Sequence, residues 1–321
     1  MGAAGITSTA VVHQPSRTAT SEFRGRADPL GHQMTDQDPI DAESLRKRAG
    51  LATFEQHAEL ASTMDRAREL AADPETPLPA AVVADLQTHG RGRRGARWWQ
   101  PPGSLAVSIV LDAASAGIVS DEPLEPRPTW SLAAGVALAE ALSALVPEVD
   151  PRVRWPNDIE SGGRKLAGIL IETCPGGRAI IGIGVNTTGS AADAPASLAH
   201  RPATIPDRTG RPLPRAVLLG DFMPRFCQLL AAITADPGLL VSRYRPFCSL
   251  LGSDVTVYQG GDPHDPLALN ESRPAIRGRC HGIDRHGAIV IDTVAGRMHL
   301  ASGSLTQPGD VWRGDAGPTA S

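Results

Sequence analysis

Gln87-Thr88-His89-Gly90-Arg91-Gly92-Arg93-Arg94-Gly95-Ala96-Arg97-Trp98-Trp99-Gln100-Pro101-Pro102-Gly103 alternates glycine with arginine and closes on two indoles. Glycine frees the backbone to turn its N–H groups toward an anion, and guanidinium forks give paired charged donors to phosphate or carboxylate oxygens. The tryptophans add flat surface for a planar ring, so the stretch suits a nucleotide phosphate with its base nearby. Arginine-glycine runs also occur in disordered RNA-binding segments, but those are long and repetitive. This one is a single copy between Ala81-Val82-Val83-Ala84 and Leu105-Ala106-Val107-Ser108-Ile109-Val110-Leu111, which read as buried strands. A loop between strands that is ordered, or ordered by its ligand, is therefore expected.

Downstream, Arg152-Val153-Arg154-Trp155-Pro156-Asn157-Asp158-Ile159 is extended, because a residue before proline avoids the helical region. Ser161-Gly162-Gly163 turns the chain into a strand from Arg164 to Thr173. Pro175-Gly176-Gly177 turns it again into Ala179 to Asn186. This antiparallel meander puts Asp158 and Lys165 on neighbouring strands beside one hairpin. The pair reads either as a plain structural ion pair or as a carboxylate and an ammonium flanking a reaction site. Gly168, Gly182 and Gly184 interrupt apolar strands, where a ligand or another backbone can approach closely. Of the 31 basic residues only Lys47 and Lys165 are lysines. A lysine in so arginine-rich a chain fits a site needing a compact point charge on a slim stem.

Upstream, an extended run from Thr53 to Leu60 leads to Ser62-Thr63-Met64-Asp65. There a hydroxyl cap with an acid three residues on opens a helix bearing Met64, Ala67, Leu70 and Ala71. Ser62 reads equally as a cap and as a ligand contact. A long alanine- and leucine-rich helix is expected from about Ser131 to Leu145 and an apolar helical pattern from Leu213 to Ala235. Asp254 to Tyr258, Ala275 to Ile283, Ala288 to Asp292 and Arg297 to Leu300 read as short strands of a second, small barrel, with Asp284-Arg285-His286-Gly287 as a tight turn. Residues up to about Asp41 read as a disordered extension without a helix-turn-helix, Gly260 to Ser272 as a mobile insertion, and the stretch after Pro308 as a frayed tail.

A net charge of −4 leaves no bulk footprint for coating nucleic acid. No apolar run approaches a membrane span and no signal-peptide order opens the chain, so the cytoplasm is the expected compartment. Cys174, Cys227, Cys248 and Cys280 lack zinc-ligand spacing and are expected to be reduced, and no metal site is assigned.

Taken together, Gly90-Arg91-Gly92-Arg93-Arg94-Gly95 with Trp98 and Pro101, Arg154-Trp155-Pro156-Asn157-Asp158 with Lys165-Leu166-Ala167-Gly168-Ile169-Leu170, Gly182-Ile183-Gly184-Val185-Asn186, and the barrel's Leu251-Gly252, Gly282-Ile283-Asp284 and Gly287-Ala288 resemble the biotin protein ligases, from about Phe54 to Leu305. The resemblance implies an α+β fold: a mixed, largely antiparallel sheet with packed helices, like that of class II synthetases and lipoate ligases, followed by a small SH3-like barrel. It divides the chain into an extension (1–45), a biotin- and ATP-binding catalytic domain (46–245), the barrel (246–309) and a tail (310–321). It implies that biotin is activated by ATP with Mg2+ to biotinyl-5′-adenylate and passed to a lysine of a biotin carboxyl carrier domain of acyl-CoA carboxylases.

On this likeness Lys165, Arg93 and Asp158 are the catalytic candidates. Ser62, Thr63, Met64, Gln87, Arg91, Gly92, Arg93 and Lys165 are those for biotin, and Arg93, Arg94, Trp98 and Asn186 those for ATP. Asp158 would hold and deprotonate the incoming carrier lysine, and the glycine–arginine loop would close over the adenylate. Ala96 and Gln100 stand where the family often has an arginine and a serine, so a phosphate contact would be missing or supplied by Arg94 or Arg97. The turn Ser302 to Gln307 lacks the acid and arginine often found there. A repressor role is not expected, and the chain is expected to be a monomer or weak homodimer without DNA or membrane contact. A lipoate or octanoyl ligase or transferase on the same scaffold is the alternative within the enzyme class, and an arginine-loop RNA-binding module the alternative outside it.

Overall fold

The computed structural model describes residues 40–118, 128–195, 202–259 and 275–308. The expectations for most of the N-terminal extension, the proline-rich connection before Pro128, the insertion from Gly260 and the C-terminal tail fall outside these residues. At the extension's end, Ala42–Ala49 is helix α1, which begins just past the stretch read as disordered and runs across the boundary expected at 45. Asp41 caps it by accepting from the Glu43 and Ser44 amides, Gly50 ends it at φ 67°, and Leu45 and Ala49 are buried. With only two apolar anchors among charged residues, it carries too weak a period to stand out in sequence.

Strand β1 (Thr53–Leu60), helix α2 (Thr63–Ala72) and strand β2 (Ala80–Gln87) follow, the helix crossing over so that β1 and β2 run parallel. Strand β3 (Leu105–Leu111) returns antiparallel to β2 after the glycine–arginine loop, and all seven of its residues are buried. Helix α3 (Pro128–Leu145) leads to β4 (Arg152–Arg154), β5 (Asp158–Ser161), β6 (Arg164–Cys174) and β7 (Arg178–Val185), the expected meander. The sheet order is β1-β2-β3-β7-β6-β5-β4, antiparallel at every pairing but the first. The mixed, largely antiparallel sheet is as expected.

Helix α3 is apolar over most of its surface because it is covered over most of it, Glu140 apart, which pairs with Arg243. Alanines at 133, 134, 137, 139 and 141 are fully buried and let the helix lie close to the sheet. At Gly135 a Cβ would come within 3.2 Å of Val153 Cγ1. Helix α4 (Ile205–Thr209), helix α5 (Arg215–Ala235) and helix α6 (Gly238–Tyr244) complete the helical layer. Among the described residues α5 is long and apolar enough to cross a membrane, contrary to the expectation that no run approaches that length. Half of it is buried here, with Leu218, Leu219, Phe222, Met223 and Phe226 turned into the core.

Strands β8 (Asp254–Tyr258), β9 (Ala275–Ile283), β10 (Ile289–Thr293), β11 (Gly296–Leu300) and β12 (Ser304–Thr306) form a second, antiparallel sheet in the order β11-β10-β9-β8-β12, consistent with the SH3-like unit expected. β12 occupies the stretch read as a turn. The Arg-Trp pair before Pro156 joins the two sheets: Trp155, buried, donates from Nε1 to Gly287 O at 3.0 Å, and Arg154 donates to Gln307 Oε1 at 2.8 Å. Arg154 also faces Glu160 at 3.3 Å, a buried ion pair beside the strand that carries Asp158.

Candidate active site

Strands β2, β3, β5, β6 and β7, the start of α2 and the glycine–arginine loop wall one cavity. Ser62, Thr63, Met64, Gln87, Arg91, Gly92, Arg93, Trp98, Asp158 and Lys165 all line it, although they come from four separate parts of the sequence. Two sequence candidates are not among these. Asn186 lies past the end of β7, 2% exposed, and its Nδ2 donates to Ala203 O at 2.8 Å while its Oδ1 is buried without a hydrogen-bond partner. The side chain of Arg94 lies outside the described residues.

The floor is made by the strand glycines. A Cβ on Gly182 would lie 2.6 Å from Met64 Sδ, and one on Gly184 would lie 2.5 Å from the Trp98 indole. Only glycine lets these two side chains lie flat on the sheet. What approaches the glycines here is therefore side chain rather than backbone. Trp98 Nε1 is buried without an acceptor, and Lys165 Nζ lies 5.6 Å from the centre of the same indole.

At one end the cavity is cationic, and each cation leans on an acceptor. Lys165 Nζ is 2.7 Å from Asp158 Oδ1. A bulge between Ile159 and Glu160 shifts the register so that Asp158 pairs with Gly168, three residues along β6 from Lys165, and the lysine reaches back along the strand. The contact is close but badly aligned, since Asp158 Oδ1 makes no directed hydrogen bond. Arg93 donates to Asn157 Oδ1 at 3.1 Å, and Asn157 is held in turn by Ile169 O at 2.9 Å. Arg91 is paired with Asp65 at the start of α2. Asp65 also holds Arg68 at 2.6 Å, and Arg68 grips both Glu172 oxygens on β6. Arg97 also lines the cavity and donates to Thr88 O at 3.3 Å.

At the other end the polar groups are neutral. Ser62 caps α2 by accepting from the Met64 amide at 3.3 Å, so its capping role is realised while it also lines the cavity. Thr63 and Gln87 are hydrogen-bonded to each other, the Thr63 amide donating to Gln87 Oε1 at 2.9 Å. Gln100 does not face the cationic end: it is 8% exposed and points back between β2 and β3.

Residues 58–186 match the model of the biotin/lipoate A/B protein ligase family. A biotin–[acetyl-CoA-carboxylase] ligase of Paracoccus denitrificans is 30% identical over 233 residues, covering 70% of this chain and 89% of that protein. This chain belongs to the biotin protein ligase family. A bifunctional ligase/repressor BirA of Bacillus spizizenii is 33% identical over 77% of this chain and 71% of its own length. A biotin protein ligase from Aquifex aeolicus, solved with biotin and ATP, superposes with a TM-score of 0.66 at 24% identity, over 80% of this chain and all of that one. The fold is thus that of the family.

Sequence reasoning gave no role at the cavity to Asp65, read only as a helix-start acid, or to Asn157 or Ser108, each of which orients a cavity residue. Asn157 had a signal, its place beside Asp158 after a proline. Asp65 and Ser108 had none, because their partners lie far away in the chain.

Proposed function

We infer that this chain activates biotin with ATP to form biotinyl-5′-adenylate and passes the biotinyl group to a lysine of a biotin carboxyl carrier domain. The observation that carries this is the convergence, in one cavity, of Arg91, Arg93, Arg97 and Lys165 with a neutral polar wall, as a substrate with a carboxylate at one end and an uncharged polar ring at the other would require. In the first step a carboxylate oxygen of biotin attacks the α-phosphorus and pyrophosphate leaves. In the second the carrier amine attacks the mixed anhydride carbonyl and AMP leaves.

Two anions must meet at bonding distance in the first step, so fixed cations between them lower the barrier by positioning and charge stabilisation. Lys165 is the bridge between carboxylate and α-phosphate, and Arg91 and Arg93 hold the flanking oxygens. Ser62, Thr63 and Gln87 take the ureido end, and Met64, Gly92 and the strand glycines its rings. Trp98 and Asn186 serve the nucleotide side. The buried, unpaired Asn186 Oδ1 supports an acceptor role there, as the unpaired Trp98 Nε1 supports a donor role.

Once the adenylate has formed, Asp158 is the carboxylate for the second step. It exchanges Lys165 for the carrier ammonium and takes its proton. Among the described residues no trio of His, Cys, Asp or Glu is grouped to hold a metal ion, and magnesium enters as part of the ATP substrate.

The separate pairing of β8–β12 supports a division into a catalytic domain at 46–245 and a barrel at 246–309. We also propose that the chain acts in the cytoplasm as a monomer or weak homodimer, on acyl-CoA carboxylase carriers and without DNA contact, the last in keeping with its net charge of −4. Biotin-dependent exchange of labelled pyrophosphate into ATP tests the activity. Exchange with biotin supports it, and exchange with lipoate alone, or with neither acid, overturns it.

A further inference from the structure

Gln100 sits where the residue pattern of the resemblance left a doubt about a phosphate contact, and its surroundings give it a different task. Its Nε2 lies 3.2 Å from Asp85 O and 3.1 Å from Ser104 O, with Ala84 O at 3.5 Å. Carbonyl oxygens only accept, so this end of the amide must carry the hydrogens. The other end, Oε1, then only accepts, and it takes a hydrogen from Gln87 Nε2 at 3.3 Å. With its nitrogen committed to Gln100, Gln87 turns its Oε1 to Thr63, accepting from the backbone amide at 2.9 Å and from the hydroxyl at 3.2 Å. The Thr63 hydroxyl has then given its one hydrogen, and its oxygen accepts from Ser108 Oγ at 2.7 Å. Ser108 is fully buried and Thr63 is 3% exposed.

The donors of these four side chains therefore all point the same way, from Ser108 through Thr63 and Gln87 to Gln100, and the run ends on backbone carbonyls that cannot reverse. Turning the Gln87 amide over by itself would set nitrogen against the Thr63 N–H and oxygen against Gln100 Oε1. Both contacts are repulsive, and both groups are too buried for water to repair them.

We propose that Gln100 is a positioning residue that fixes the hydrogen-bond polarity of the cavity's neutral wall, and with it the choice of head group. The run leaves for a ligand the second hydrogen of Gln87 Nε2 and one lone pair of Thr63 Oγ1. This donor beside an acceptor matches a cyclic urea, which offers a carbonyl beside an N–H. A guanidinium-type ring, which offers only donors, finds the Gln87 hydrogen opposed, and a dithiolane finds neither group answered. No member of the run carries a formal charge, so this discrimination does not change between about pH 6 and 9. The proposal rests on the reading of the substrate as biotin.

The test is a double-mutant cycle on the full chain, with Kd measured calorimetrically for biotin and for its 2-imino analogue. The wild type is measured first, together with biotin-dependent pyrophosphate exchange. Absence of both binding and exchange there overturns the substrate reading without touching the cycle's logic. Gln100→Met, of equal length but without the amide, is expected to weaken biotin about tenfold and to narrow the preference for biotin over the imino analogue at least about fivefold, with KM for ATP within about twofold. In a Gln87→Leu background the same change is expected to have almost no further effect on biotin, because its only route to the ligand has been removed.

Additive losses from Gln100→Met and Gln87→Leu, or an unchanged preference in Gln100→Met, overturn the proposal. Should Gln100→Met not fold, Gln100→Ser is carried through the same cycle and decides by the same two outcomes. A role confined to stability would lower Tm and leave the ratio of the two ligand affinities where it was.

Discussion

The two ends of the cavity are held in order by different means. At the neutral end Ser108, Thr63, Gln87 and Gln100 satisfy one another inside the sheet, and a ligand adds bonds without displacing any of theirs. At the cationic end Lys165 leans on Asp158, Arg93 on Asn157 and Arg91 on Asp65, so an incoming anion must take the place of an acceptor already there. A ring that has only to be recognised meets a finished surface. On the function proposed above, the two mutually repelling anions of the first step meet cations stored in exchangeable pairs, which keeps charge from being buried unpaired before substrate arrives. On that same proposal, recognition is rigid and the chemistry runs by partner exchange.

The sharpest way to break this contrast is Asp158→Asn, which keeps the shape of the residue but removes the base. Transfer from preformed adenylate to a carrier domain should fall about 10²–10⁴-fold, as for a lost general base, while adenylate formation changes far less. Equal losses in both half-reactions, measured by chasing isolated enzyme–adenylate with carrier, would contradict the exchange of partners. Arg93→Ala comes next. Losing a charged hydrogen bond to substrate corresponds to about 1.5–3 kcal/mol, or roughly 10- to 150-fold in kcat/KM for ATP.

Asp65→Asn should do less to catalysis, about fivefold or under, but it should free the glycine–arginine loop. Trypsin cleavage between Arg91 and Arg97 in the ligand-free protein is expected to quicken, and biotin with ATP should suppress it again. An unchanged cleavage rate would mean that Asp65 does not hold the loop.

The smallest effect expected lies outside the cavity, where Glu55 is held below the usual carboxylate value of 4.5, chiefly by its hydrogen bond from Arg66 and secondarily by His57. A carboxyl with a depressed folded value stabilises the protein above the unfolded value, and that contribution fades as pH falls through 4.5 toward the folded one. For a pair this open to solvent the amount is about 0.5 kcal/mol. Glu55→Gln should lower Tm slightly at pH 7 and leave it equal to wild type near pH 3.

Much of this was legible in the chain because strands and turns are local. The continuous apolar runs around Val82, Val107 and Ile181 and the glycine turns at 162–163 and 176–177 fix the hairpins, and the loop between β2 and β3 could go nowhere but to one end of the sheet. The cationic candidates were legible through residue type, Lys165 above all, since one lysine in an arginine-rich strand stands out. What stayed hidden depends on where a side chain points after the chain has folded.

Gln100 read as an altered phosphate contact because the family often has a serine at that place, yet its amide turns the other way and meets carbonyls of β2. Asp65 read as a helix-start acid, and its bond to Arg91 spans 26 positions. β12 was taken for a turn because three residues give no period, and α1 was missed because only Leu45 and Ala49 are buried.

The most direct measurement is acid-quenched single-turnover mass spectrometry of adenylate formation by wild type and Lys165→Met, with biotin affinity measured on the same samples. If an ammonium between the two anions drives the first step, the variant should bind biotin within about tenfold of wild type and form adenylate about 10²–10³-fold more slowly, some 2.7–4 kcal/mol at the transition state. A folded Lys165→Met protein that forms adenylate at the wild-type rate would contradict it.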